Sequence, residues 1–177
     1  MNYKPLLVIL IFGLFYTNAQ QKSEISFKEV KHKYGCRNCY GSLVVKKGSF
    51  SDTIYGGQWG NSVNYKLIKI KDKEYLNTYY RYGYPGGHAV LKYKIHSIEE
   101  QNFLEPIFEK SFELYRETHR DYNDVPTNYI FDRTINIKIK NGIEFDIKLV
   151  VSYCPEVEDV PCDQLFEESY TEFYKIN

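Results

Sequence analysis

From Ile25 to Ile95 apolar and polar positions alternate in short runs, GSLVVKKGS, SDTIYGG, SVNYKLIKI, EYLNTYYRYGY and HAVLKYKI, each bounded by Gly, Asn, Asp or Ser. Period-two runs between turn formers predict strands joined as an antiparallel meander. The sharpest pattern is RTINIKIKNGIEFDIKLVVSY, where Ile135, Ile137 and Ile139 alternate with polar residues, as do Ile143, Phe145, Ile147 and Leu149. A two-residue turn at Asn141-Gly142 would set Ile139 opposite Glu144 and split the apolar faces. A three-residue loop, Lys140-Asn141-Gly142, with Gly142 left-handed in a bulge, pairs Ile139 with Ile143, Ile137 with Phe145 and Ile135 with Ile147. That register is the expectation.

Two stretches carry helical spacing instead. Ser97 and Glu100 are placed as a capping box, and beyond Pro106 come Ile107, Phe108, Ser111, Phe112 and Tyr115, which predicts a central helix over about residues 98–118. Leu165, Phe166, Ser169, Tyr170, Phe173 and Tyr174 follow a cap at Asp163 and predict a C-terminal helix over about 163–174. The expected fold class is therefore α+β and β-rich. An antiparallel meander sheet, sandwich-like or curved, carries a hairpin at 133–153 and is packed by the two helices, the alternative being an all-β sandwich.

The beginning of the chain, MNYKPLLVILIFGLFYTNA, changes the picture of where this sheet works. Lys4, the apolar run from Leu6 to Tyr16 and the small residues Thr17 and Ala19 form a signal-peptide pattern, and Asn18, Gln20 and Gln21 end the run short of a membrane span. We expect residues 1–19 to be a signal peptide and residues 20–177 one globular β-rich domain, exported to a periplasm or the cell exterior. Removing 1–19 takes Lys4 from the 23 basic residues and leaves them almost balanced against 23 acidic ones. Such a chain offers no polyanion-binding surplus, so neither nucleic acid nor membrane insertion after cleavage is expected. Lys66, Lys69, Lys71 and Lys73 cluster, but Asp72 and Glu74 stand among them, as on a solvated hairpin.

Cys36, Cys39, Cys154 and Cys162 make an even count in an oxidising compartment, which predicts disulfides. The proline-bracketed CPEVEDVPC turns back on itself, so local pairs, Cys36 with Cys39 and Cys154 with Cys162, are expected over crossed ones. A redox dithiol would stand at a helix N-terminus, whereas Gly41-Ser42-Leu43-Val44-Val45 reads as a strand. The seven residues between Cys154 and Cys162 do not suit a zinc site. No metal and no cofactor is expected.

GCRNCYGS is similar to the nucleophile segment of papain-like proteases, and GGHAVLKYKI to their histidine strand, over about eight residues each. The resemblance implies Cys39 as nucleophile and His88 as base. It departs from the family where a strand, not a long helix, follows the cysteine, and where the histidine comes far sooner than the roughly 130 residues of that family. His32, His88, His96 and His119 read as polar surface histidines.

Tyrosine supplies 18 of 177 residues, and aromatics concentrate beside glycines in YGGQWGN and in YYRYGYPGGH. Rigid rings with polar tips on adaptable loops make recognition surfaces. Tyr55, Trp59, Tyr82 and Tyr84 belong to these loops. Along EYLNTYYRY, alternation separates Leu76, Thr78 and Tyr80 from Tyr75, Asn77, Tyr79 and Arg81. If the first set faces the core, the second presents rings, an amide and a guanidinium on one exposed surface, suited to a glycan or an extended peptide. The turn at 71–73 has no glycine to decide which set faces inward. The expectation is a non-enzymatic binding domain recognising glycan or protein. The alternatives are a small thiol enzyme using Cys39 and His88, and an envelope protein without ligand.

Overall fold

The computed structural model describes residues 24–30, 41–57, 62–84, 87–122, 125–155 and 160–176. Ten strands account for most of them. β1 (Ile25–Val30), β2 (Ser42–Lys47) and β3 (Phe50–Tyr55) form a three-stranded antiparallel sheet. β4 (Asn64–Ile70), β5 (Lys73–Tyr84), β6 (His88–Ser97), β7 (Pro106–Tyr122), β8 (Val125–Ile139), β9 (Ile143–Pro155) and β10 (Asp163–Tyr174) follow as a seven-stranded antiparallel meander in chain order. The expected β-rich meander is present, as the all-β alternative rather than the α+β arrangement. Among the described residues the helical content is one 3₁₀ turn, Glu100–Asn102.

The large sheet is folded on itself at β7. The first half of that strand, up to Arg116, pairs with β6, and the second half, from Tyr115, pairs with β8. Arg133 ties the bend by donating from Nη1 to the Glu113 carbonyl at 2.8 Å. In a flat sheet β6 and β9 would stand three inter-strand steps apart, about 14 Å, yet the Tyr93 and Phe145 rings meet edge to face with centroids 5.3 Å apart. Likewise Lys110 of β7 donates to the Tyr174 hydroxyl of β10 at 2.6 Å. The layer β4–β7 thus faces the layer β8–β10. Between them lies the main core, with Ile68, Tyr75, Tyr93, Phe112, Ile143 and Phe145 among its buried members.

The three-stranded sheet covers the opposite face of β4–β6. Leu43, Val45 and Ile54 pack there on Leu76, Val63, Ile98 and Leu104 in a second core. Lys47 donates across the interface to the Ile98 carbonyl at 2.7 Å. As a result β5 is buried on both faces at its middle: Tyr75 and Asn77 toward the main core, Leu76 and Thr78 toward the small sheet. The turn at Lys71-Asp72, with Lys71 at φ 55°, sets Ile70 opposite Lys73 and Ile68 opposite Tyr75.

Neither expected helix forms. Phe108 and Phe112 are four residues apart, a spacing that shares one face in a strand as well as in a helix. In β7 they face the core around Lys110, while Ile107, which a helix would have turned inward, is exposed. The stretch 163–174 pairs along β9 as an edge strand and leaves Leu165, Phe166 and Phe173 largely in solvent. Phe, Tyr and Thr are strand formers, and the open edge of β9 supplies a backbone ladder that a short isolated helix could not match. Ser97 does not cap a helix either: its hydroxyl accepts from the Glu99 amide at 3.2 Å in the turn that leads to β7.

The hairpin register is the expected one, Ile139 with Ile143, Ile137 with Phe145 and Ile135 with Ile147. Gly142 is not left-handed, however, since among the described glycines only Gly48 and Gly87 have positive φ. Glycine is needed at 142 because a Cβ there would collide with the Tyr174 carbonyl oxygen and come within 2.9 Å of Phe173 Cζ. His96 is a second correction. It is buried, not on the surface, with Nδ1 3.0 Å from the Leu104 carbonyl and Nε2 3.0 Å from the Thr78 hydroxyl. A carbonyl only accepts, so Nδ1 carries the proton and Nε2 accepts from Thr78. Burial lowers the His96 pKa below its ordinary value, against the opposing pull of the Leu104 carbonyl.

A groove at the open mouth between the layers

Where β4 and β5 lean over β8, the two layers do not close. The groove between them has a volume of about 660 Å³. Its floor is Leu91 and Tyr93 of β6, one wall is Ile135, Ile137 and Ile139 of β8, and the other wall holds Ile68 and Lys66 of β4 with Asn77, Tyr79 and Arg81 of β5. Alternation explains the set. Asn77, Tyr79 and Arg81 stand at successive same-face positions of β5, and in the β5–β6 register Tyr79 is opposite Tyr93 and Arg81 opposite Leu91.

Two polar atoms in this groove have no hydrogen-bond partner: Asn77 Oδ1 and the Tyr93 hydroxyl. Both side chains are deeply buried, Asn77 at 7% exposure and Tyr93 at 0%. Leaving such groups unpaired costs about 1–3 kcal/mol each, and folded proteins rarely tolerate it without a reason. Burial pushes the Tyr93 phenol far above its ordinary range, so it remains a proton donor at physiological pH. Both atoms are closed off from solvent behind the lining, so the groove presents neither at its surface; what it presents is the aliphatic side chains of β8, the Tyr79 ring and the polar side chains around them. Lys66, Lys69 and Arg81 also line it, and no carboxylate does.

Of the residues singled out from the sequence, Asn77, Tyr79 and Arg81 are brought together here. Tyr75 shares their strand face but is buried in the main core. Tyr82 turns to the other face of β5, where Lys92 Nζ lies 5.9 Å from its ring. Tyr84 ends β5, and its side chain is outside the described residues, as is all of Trp59. Tyr55 is exposed at the end of β3, away from the groove lining. Gly57, one of the loop glycines, packs the chain against β5: a Cβ there would meet Tyr82 Cβ at 2.8 Å.

Cys154 and Cys162 are disulfide-bonded, as expected for the local pair. Cys36 and Cys39 lie outside the described residues, so the alternative pair of Cys39 with His88 does too. His88 itself begins β6 with Nε2 3.0 Å from Glu113 Oε1. Tyr93, Leu91 and the isoleucines of β8 stand in the sequence as ordinary strand positions, and nothing local marks Tyr93 apart from other tyrosines. Its role comes from the fold-back at β7, which places it under the mouth. Compared with known proteins, the chain matches no family model, no curated protein and no solved structure at significant similarity.

Proposed function

We propose that this chain is an exported, non-enzymatic binding domain that holds a protein or glycan ligand in the groove between β4–β6 and β8. The observation that carries this reading is the open groove itself, whose lining joins Lys66, Lys69 and Arg81, with no carboxylate among them, to the Tyr79 ring and the isoleucines of β8. A ligand seated there gains apolar contact with the β8 wall and charge-assisted hydrogen bonds from the cations. The recognition surface is thus the inward mouth beneath β5, with Asn77, Tyr79 and Arg81 as its named contacts, and the glycine loops play a packing part at Gly57. Export is supported by the signal-like start of the sequence and by the Cys154–Cys162 disulfide, which an oxidising compartment maintains. Among the described residues no helix is long and apolar enough to cross a membrane.

The test is a thermal-shift screen with sets of short extended peptides and of oligosaccharides, run in parallel on wild type and on Ile137→Trp, which fills the groove from its β8 wall. The reading expects one set to raise the melting temperature of wild type and to leave Ile137→Trp unmoved. A shift that persists undiminished in Ile137→Trp, or no shift with either set, overturns it.

A further inference from the structure

We propose that the ligand is an extended acidic peptide segment that adds as a strand along the open edge of β8, a statement that rests on the groove being a binding seat at all. The first observation is topological. β8 pairs with β7 only as far as Asp132, so from Arg133 to Ile139 its sole strand partner among the described residues is β9. β4, at the end of the sheet order, pairs only with β5. Both of these open edges border the same groove, and consecutive residues of each strand, Lys66 to Lys69 and Ile135 to Ile137, line it. Open edges carry rows of unpaired amides and carbonyls, which natural proteins normally cover or blunt. An extended peptide satisfies them by strand addition, with main-chain bonds for affinity and alternate side chains for specificity.

The second observation is charge. The lining has three cations and no carboxylate, in a chain whose 23 basic and 23 acidic residues balance. Lys66 is the direct cross-strand partner of Asn77, and Arg81 lies two same-face positions further along β5, about 13 Å away. A strand has that same reach between residues i and i+4. The segment this groove takes therefore carries acids four residues apart on one face, meeting Lys66 and Arg81, with a small apolar residue midway over Tyr93 and against Ile137. The glycan reading is weaker here, because the lining holds only one partly exposed ring, Tyr79, for a sugar to stack on.

The experiment uses a fluorescein-labelled, amidated Glu-Thr-Val-Thr-Glu peptide and reads fluorescence anisotropy with the mature protein. Two N-methylated versions, blocked at alternate amides so that each loses one edge of its main chain, accompany a version with both Glu replaced by Lys. The expected result is binding that falls about tenfold or more with at least one N-methyl peptide and with the Lys peptide, each tenfold being about 1.4 kcal/mol. Arg81→Gln, at an exposed position, should weaken the Glu peptide and leave a Gln-for-Glu peptide unchanged. If both N-methyl peptides bind as well as the parent, strand addition is overturned while the groove remains a seat. If the peptide fails but palmitate or an oligosaccharide binds wild type and not Ile137→Trp, the peptide class is overturned and the seat again stands. If no probe of any class binds, both proposals fall together.

Discussion

The two faces of the β5–β6 pair treat buried polar groups in opposite ways. Under the small sheet, the Thr78 hydroxyl donates to His96, and His96 donates to the Leu104 carbonyl, so a polar chain in the interior is closed end to end. On the other face of the same two strands, Asn77 Oδ1 and the Tyr93 hydroxyl are equally buried and have no partner. The closed chain does structural work: Leu104 is held at φ 61°, a conformation that costs a non-glycine residue about 1–2 kcal/mol, and the His96 bond fixes its carbonyl. The open pair holds nothing in place. The two faces of one strand pair thus differ in how completely their buried polar groups are satisfied.

The largest effects should establish that both faces are true core. Leu76→Ala beneath the small sheet and Phe145→Ala between the layers each remove a side chain with 0% exposure, so denaturant melts should show losses of about 2–5 and 3–5 kcal/mol. A loss near zero for Leu76→Ala would mean that the small sheet does not dock on β5, and the comparison would collapse. Next comes Thr78→Val, similar in shape, which strands the buried His96 Nε2 and should cost about 1–3 kcal/mol. Tyr93→Phe deletes a hydroxyl at the same depth on the other face and should have the reverse sign. The protein should gain about 1 kcal/mol. If Tyr93→Phe destabilises like Thr78→Val, the hydroxyl has a partner and the two faces are alike.

The smallest effect is in pH. His96 has a folded-state pKa below the ordinary 6.5, first of all because it is desolvated. The unfolded chain therefore binds more protons just below pH 6.5, and stability falls with acidification in that range. The His96 contribution is fully present above about 6.5 and drains away as pH drops through the lowered folded-state pKa. Urea midpoints measured between about pH 7.5 and 5.5 should decline in wild type, and His96→Gln should flatten that decline. An unchanged slope in the variant would show that His96 is not the group responsible.

Some of this architecture was legible in residue order because it rests on local alternation. The β8–β9 register follows from Ile135, Ile137, Ile139 and Ile143, Phe145, Ile147, since a slip by one residue would turn every apolar side chain outward. The same-face grouping of Asn77, Tyr79 and Arg81 follows from a period of two and nothing else. Spacing failed where strand and helix predict the same thing, as at Phe108 and Phe112, and the edge strand 163–174 could be recognised only from the ladder that β9 offers it. It failed too at His96 and Gly142, whose requirements come from Leu104, Thr78 and Tyr174, residues that the chain brings up only after folding.

Residue order sets the alternating strands, the hairpin register and which β5 side chains travel together, because these depend on the two-residue pleat and on neighbours in the chain. Tertiary structure alone decided that β7 divides its pairing between β6 and β8, that β5 is covered on both faces, and that Tyr93 and Asn77 end beneath an open mouth. Those outcomes depend on how layers far apart in sequence fold over one another. Burial and the pairing of polar groups are properties of that assembly and of no segment within it.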